Sequence, residues 1–287
     1  CVVMTPLVLD LTLRLKRNPV PYLLAVALAS NVGSVATITG NPQNMIVGSL
    51  SRIHYGSFAA ALAPVAVAGL LMTVAMIALM YRREFLTSER FAIQATRPVR
   101  YLQPIVIKSL AVMAIMVVLF LAGQPVAKVA ILGGAYMLFT RRIKAHKVYR
   151  EIDWPLLVMF SGLFVVVAAF ERVAVTPGVI AAVARQHLDH IGVLSLVTAA
   201  LSNLVSNVPA VLMLKSFIAN LPDPHRAWLV VAMASTLAGN FTLVGSVANL
   251  IVAQRAQGAG VTIGFWAYFK VGAPLTVLTI LFGIVWL

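Results

Sequence analysis

Nine apolar stretches follow one another along this chain, at approximately 1–13, 21–50, 57–81, 103–122, 125–140, 155–173, 192–218, 226–253 and 264–287. As helices, most of them are long enough to cross a hydrocarbon core of roughly 30 Å. Of the 287 residues, 61% are hydrophobic and only 10% are charged, where a soluble domain carries roughly 25% charged. Lipid, not water, is therefore the main solvent, and the fold class is all-α and polytopic. A net charge of +14 would point to nucleic acid in a soluble protein. Here the basic residues gather in loops between spans, so no nucleic-acid partner is expected. Cys1 is the single cysteine, which excludes an internal disulfide or a multi-cysteine metal site. The chain begins with Cys rather than Met, and no signal peptide precedes the first span, so upstream sequence is expected.

Two stretches do not read as simple spans. A straight helix over 21–50 would be about 45 Å long, and its middle carries Ser30, Asn31, Thr37, Gly40, Asn41, Pro42 and Asn44. Segment 226–253 has a similar polar, Gly-containing centre. The Lys and Arg distribution then sets orientation. Loops 14–17, 82–102 and 141–154 fall on one side, expected to be the cytoplasm of a cell inner (plasma) membrane; only Arg52, Arg172, Arg185 and Arg226 fall on the other. The count closes if 192–218 enters and leaves on one face as a re-entrant hairpin. Lys108, Lys215 and Lys270 lie near span ends and are expected to snorkel, while 176–188 reads as a short interfacial helix.

The two odd segments match each other. A shift of 205 residues aligns Ala27-Leu28-Ala29-Ser30 with Ala232-Met233-Ala234-Ser235, Thr37 with Thr242, Gly40 with Gly245, Asn44 with Asn249, and Ile46-Val47 with Ile251-Val252. Over 27–47 this gives 8 identities in 21 positions. Shared composition explains aligned Ile, Val and Ala; it does not explain aligned Ser, Thr, Gly and Asn. Past a five-residue insertion, Ile53 meets Ile263 and Pro64 meets Pro274. The orientation count sends the two copies through the membrane in opposite directions. Inverted repeats with discontinuous helices are a secondary-transporter architecture, because backbone leaves the helix inside a membrane only where protein or a wet cavity receives it. A third polar cluster, Ser202-Asn203-Leu204-Val205-Ser206-Asn207-Val208-Pro209, suits the tip of the hairpin.

These three segments (30–44, 202–209 and 239–249) resemble the ion transporter superfamily of citrate and dicarboxylate transporters, divalent anion:sodium symporters and arsenite permeases. The resemblance implies two inverted repeats, each with scaffold helices, a re-entrant hairpin and an unwound helix, and one ion site per repeat. The repeats would occupy 1–81 (the C-terminal part of the first) and 103–287, joined by a cytoplasmic linker at 82–102. The implied ion- and substrate-binding set is Ser30, Asn31, Thr37, Gly40, Asn41, Pro42, Asn44, Ser202, Asn203, Ser206, Asn207, Pro209, Asn240, Thr242, Gly245, Ser246 and Asn249, with Na⁺ held through Asn207, Gly245 and Asn249. Ser206-Asn207 resembles the hairpin-tip pair that touches ion and substrate; Val208 stands where several members carry Thr. The first repeat's hairpin would lie before Thr5-Pro6, upstream of Cys1. A homodimer through the scaffold helices is implied as well.

The function expected is secondary active transport of a small anion, a di- or tricarboxylate or an inorganic oxyanion, coupled to a cation gradient. No acid falls in the core of the proposed site, which favours Na⁺ over a proton relay; Asp10 is read as a surface pair with Arg14. No other cofactor is implied. A Na⁺/H⁺ antiporter or an arsenite/antimonite efflux permease of the same superfamily is the alternative. An enzyme is disfavoured, since the chain has no His-Glu-x-x-His, Gly-x-Ser-x-Gly or P-loop. A passive channel would differ in showing no saturation or counterflow. His187 and His190, three apart, leave a metal site as a minor reading.

Overall fold

A computed structural model of the chain describes residues 1–85, 103–139, 149, 150, 152, 154–174, 178 and 187–287. The expected linker from 86 to 102, the basic loop from 140 to 148, and most of the expected interfacial helix (175–177 and 179–186) lie outside the described residues. Within them the chain is helical, with no strand. The helices are α1 (Met4–Arg14), α2 (Pro19–Ser34), α3 (Pro42–Ser51), α4 (Tyr55–Met80), the short α5 (Arg82–Phe85), α6 (Gln103–Leu121), α7 (Val126–Leu138), α8 (Trp154–Ala174), α9 (Ile191–Val205), α10 (Asn207–Ile218), α11 (Pro224–Ala238), α12 (Val247–Gly258) and α13 (Phe265–Trp286).

The two odd apolar segments are indeed broken. Segment 21–50 becomes α2, a 3₁₀ turn at Ile38–Gly40 and α3; segment 226–253 becomes α11, an irregular stretch and α12. The boundaries obey the same 205-residue shift, with Pro19 answering Pro224 and Pro42 answering Val247. Local chemistry sets each start. Asn18 and Asp223 cap α2 and α11 by accepting from Val20 N and Arg226 N, and each is followed by a proline. Asn41 and Ser246 cap α3 and α12 by accepting from Asn44 N and Ala248 N. These side chains occupy donors that a helix start leaves open.

Among the described residues three helices, α4, α6 and α13, are long and apolar enough to cross a membrane. α4 and α13 follow the two breaks, carry their internal prolines at Pro64 and Pro274, and pack on each other. α11 is the most enclosed element, with every residue from Ala227 to Ala238 buried, the pattern of a helix surrounded on all sides. The stretch read as re-entrant is two helices, α9 and α10, that pack together and against α11. They are joined at Ser206, whose φ of 78° lies in the left-handed region. With ψ at 158° a non-glycine residue there costs roughly 1–3 kcal/mol, which the surrounding packing must offset.

The elements also pair reciprocally. α2 packs on α12 while α11 packs on α3, and α1 packs on α2 and α12 while α10 packs on α11 and α3. Such exchange of equivalent contacts is what a two-fold relation between copies produces. α1 thus takes in the first copy the place that α10, the second hairpin helix, takes in the second. Lys108, expected near a span end, reaches the end of α7. Its ammonium donates to Tyr136 O and Phe139 O at 2.9 and 3.0 Å and lies 4.6 Å from the Tyr136 ring centre, closing the end of α7. The Asp10–Arg14 surface pair forms as expected, at 2.7 Å.

Candidate functional site

Each break needs something to hold backbone that no longer hydrogen-bonds along a helix, and the same residue does so in both copies. Asn44 Nδ2 donates to Ser34 O and Thr37 O, both at 3.0 Å. Asn249 Nδ2 donates to Gly239 O and Thr242 O at 2.8 and 3.2 Å, the equivalent carbonyls under the 205-residue shift. Gly40 N and Gly245 N close the matching turns onto Thr37 O and Thr242 O at 3.1 and 3.0 Å. Asn44→Ala and Asn249→Ala should therefore destabilise similarly, by roughly 2–4 kcal/mol each, since each strands buried carbonyls. Thermal unfolding of the purified variants in detergent measures both. A large effect at one position with none at the other would contradict the mirrored role.

The copies then grip each other. Asn31 Nδ2 donates to Asn249 Oδ1 at 3.0 Å, and Thr236, the residue that answers Asn31 in the second copy, donates to Asn44 Oδ1 at 3.2 Å. Likewise Ser246 Oγ donates to Asn31 Oδ1 at 2.8 Å, and Asn41 Nδ2 donates to Thr236 Oγ1 at 3.1 Å. Some contacts have no counterpart, among them Gln43 Nε2 donating to Thr236 Oγ1 at 3.4 Å, since Gln43 answers Ala248. Asn240, which answers Val35, accepts from Asn31 Nδ2 at 2.8 Å and donates to Leu28 O at 3.2 Å. Asn31, Asn44, Asn240 and Asn249 are buried. Among the described residues, the hydrogen-bonded groups of this interface are amides, hydroxyls and backbone, with no charged side chain.

The hairpin tip differs. Asn207 is 9% exposed, and its Oδ1 has no hydrogen-bond partner among the described residues. Its amide nitrogen borders the second break, 3.3 Å from where a Cβ on Gly239 would lie; Ser246 Cβ is 3.2 Å from the same point. Ser202, one turn and a half before Asn207, is 2% exposed with an unpartnered Oγ, and Ser195 and Thr198 repeat the pattern further along α9. Elsewhere in the chain Thr12, Thr73, Ser161 and Thr279 donate to the carbonyl four residues back, the usual resort of a helical hydroxyl. Asn203 does not face the tip. Its Nδ2 donates to Ala199 O and Ala238 O at 3.0 and 3.3 Å, tying α9 to α11.

The candidates thus separate into groups. Asn31, Asn41, Asn44, Asn240, Ser246 and Asn249 meet in one network, with Thr37, Thr242, Gly40, Gly245 and Pro42 shaping its two breaks. Ser202, Ser206, Asn207 and Pro209 form the tip. Ser30, half-buried on α2, makes no side-chain hydrogen bond among the described residues. Of the three residues read as Na⁺ ligands, Asn207 keeps an open oxygen, Gly245 shapes the second break, and Asn249 has both ends of its amide engaged. Sequence reading missed Thr236, although it aligns with Asn31 in the repeat. It also missed Ser34, which accepts from Asn41 Nδ2 at 2.9 Å, and Thr5, fully buried with an unpartnered hydroxyl. A shift of 203, two short of the main one, aligns Pro6 with Pro209 and Thr5 with Val208, so there the first copy carries a hydroxyl where the second carries Val208.

Two broken helices enclosing a polar, uncharged interface, with a re-entrant tip against one break, define an all-α polytopic membrane transporter. The chain belongs to the citrate transporter family, which matches residues 1–238. It is 28% identical to the silicon efflux transporter LSI3 of Oryza sativa subsp. japonica, over 99% of this chain and 73% of that protein. Similarity to a 46 kDa membrane protein of Mycobacterium leprae is also 28%, over 96% of this chain and 68% of the relative. A putative transporter arsB of Dictyostelium discoideum is 34% identical over 60% of this chain and 32% of its own length. The family is one of citrate transporters, and the rice and Dictyostelium relatives are described as a transporter and a putative transporter, so the protein is a transporter of this family rather than an enzyme.

Proposed function

We propose that the protein is an alternating-access carrier of a small anion, a di- or tricarboxylate or an inorganic oxyanion, coupled to Na⁺ bound at the hairpin tip. The observation that carries this reading is the pair of unpartnered oxygens, Ser202 Oγ and Asn207 Oδ1, buried where α9 and α10 meet. A buried acceptor without a partner is costly, and a small cation collects such oxygens. Neutral hydroxyl, amide and carbonyl ligands suit Na⁺, whereas a proton-coupled carrier needs an ionisable group. Backbone oxygens of the second break at 239–245 would complete the shell. The N-terminal end of α10 begins at the same tip and favours negative charge, so cation and anion share one place.

The arrangement in the bilayer follows the charge distribution, with loops 82–102 and 141–154 in the cytoplasm and the protein in the inner (plasma) membrane as a scaffold-helix homodimer. A second reading has its own observation. Among the described residues no cationic side chain lies in the polar interface, so an uncharged oxo-acid also fits, as the relative described as a silicon efflux transporter would suggest.

Flux of labelled citrate, succinate, sulfate, arsenite and silicic acid into proteoliposomes of the full-length protein, with and without a Na⁺ gradient, separates these readings. Na⁺-stimulated, saturable uptake of an anion is expected. Ser202→Ala and Asn207→Ala should each raise the Na⁺ concentration for half-maximal flux at least about tenfold, the loss of one charge–dipole ligand of roughly 1.5–3 kcal/mol. Flux of every anion that ignores Na⁺ would remove the coupling-ion assignment.

A further inference from the structure

Among the described residues, the transport reading leaves a cluster of metal-ligating side chains unused. His187, Asp189 and His190 stand immediately before α9, and one donor atom from each lies within 4.8 Å of the others. We infer that they form a binding site for a divalent transition metal, of which Zn²⁺ is the expected occupant.

The backbone aims these three side chains together. Leu188, between the two outer ligands, is 4% exposed and belongs to the main apolar core, which pins the loop. His190 N donates to His187 O at 3.0 Å and closes a turn. His187 has φ 54°, and with that turn its ring is brought to 5.9 Å from the His190 ring, centre to centre. All three ligand side chains are exposed. A tetrahedral Zn²⁺ with ligands at about 2.0–2.2 Å needs donors spaced by roughly 3.3 Å, a distance that side-chain rotation reaches without moving the backbone.

The donor set selects the metal class. Two imidazoles and one carboxylate suit Zn²⁺, Ni²⁺ or Cu²⁺, and disfavour Mg²⁺ and Ca²⁺, which take oxygen ligands. Three protein ligands leave a fourth position for water, so bound metal exchanges with solvent. Asp189 makes no ion pair among the described residues and is available as a ligand. It also lines a cavity of about 230 Å³ with Asp223 and Arg226 at the end of α11. Arg226 is engaged elsewhere through its Nε, which donates to Leu287 O at 2.6 Å. The N-terminal dipole of α9 opposes a cation here, and the Asp189 carboxylate offsets it. Because α9 leads to Ser202 and Asn207, the metal would sit at the base of the hairpin.

The test is metal binding by the purified full-length protein, free of any histidine tag, followed by Zn²⁺ titration calorimetry and by the visible spectrum of bound Co²⁺. One Zn²⁺ per chain at this site and a tetrahedral Co²⁺ spectrum are expected. His187→Ala, His190→Ala and Asp189→Asn should each weaken Zn²⁺ binding at least about tenfold with the metal-free unfolding temperature unchanged, while His225→Ala leaves binding intact. Zn²⁺ binding that persists in the His187→Ala/His190→Ala double variant, or no Zn²⁺ or Co²⁺ binding by the wild-type protein, overturns the assignment. Neither readout involves flux, so the outcome is independent of the transport reading.

Discussion

Asn31→Ala is expected to cost this protein about 3–6 kcal/mol, the largest loss from any single polar side chain at the centre of the fold. The side chain makes three hydrogen bonds, to Asn240, Asn249 and Ser246, all contributed by the second copy. Alanine leaves the Asn240 and Asn249 oxygens and the Ser246 hydroxyl without that partner, at roughly 1–3 kcal/mol for each buried group stranded. The effect is not confined to one copy, because Asn249 also closes the second break through Gly239 O and Thr242 O. Asn240→Val provides the comparison. It installs the side chain that already stands at Val35, the equivalent position of the first copy, and should cost less. Thermal unfolding in detergent, read by the loss of monodisperse protein, gives both numbers. If Asn31→Ala unfolds at the wild-type temperature, the reciprocal network does not hold the copies together.

Gly40→Ala should be nearly as damaging for a steric reason. A Cβ on Gly40 would lie 2.2 Å from Ser34 O and 2.9 Å from Ser34 C and Cα. Those atoms are backbone at the end of α2, so no side-chain rotation relieves the clash and the break itself must open. Overpacking of this kind costs about 3 kcal/mol or more. Gly245→Ala, the equivalent change, meets Gly239 O at 2.9 Å and should cost less. At Gly33 a Cβ would meet nothing within 4 Å, so Gly33→Ala should be neutral or gain up to about 1 kcal/mol from helix propensity. The expected order of unfolding temperatures is Gly33→Ala highest, then Gly245→Ala, then Gly40→Ala. Equal values for the last two would mean that the break relaxes freely.

Much of this architecture was legible in the residues. The breaks were visible because no helix of 30 residues with Asn, Gly, Thr and Pro at its middle sits in hydrocarbon without somewhere to put its backbone. The hairpin was visible because the charge count closed only with a segment that returns to its own side. The equivalence of Gly40 with Gly245 and Asn44 with Asn249 was visible in the alignment, and the structure gives those pairs the same local work. The site was less legible. Asn249 stood among the Na⁺ ligands, yet its amide is spent on loop carbonyls and on Asn31. Thr236 is hidden in the sequence because it is an ordinary threonine in an apolar stretch that only its place in the repeat distinguishes; Thr5 is legible as a landmark of the first copy but not as a buried hydroxyl. The metal-site residues His187 and His190 were noted for their spacing. The third ligand, Asp189, emerges from the turn that Leu188 and the left-handed His187 backbone impose.

The sequence by itself therefore determined the solvent, the class and the symmetry of the protein. Those depend on composition, on period and on self-similarity, all carried along one dimension. The tertiary structure alone decided which polar groups are consumed and which remain open. Asn31 and Asn249 are 218 residues apart, and whether two such amides satisfy each other depends on helix packing that no local pattern encodes. The same packing leaves Ser202 Oγ and Asn207 Oδ1 buried without partners among the described residues. In a membrane interior, where water is not at hand to satisfy a stray oxygen, that distinction separates groups that hold the fold from groups left open, on which the proposed ion site rests.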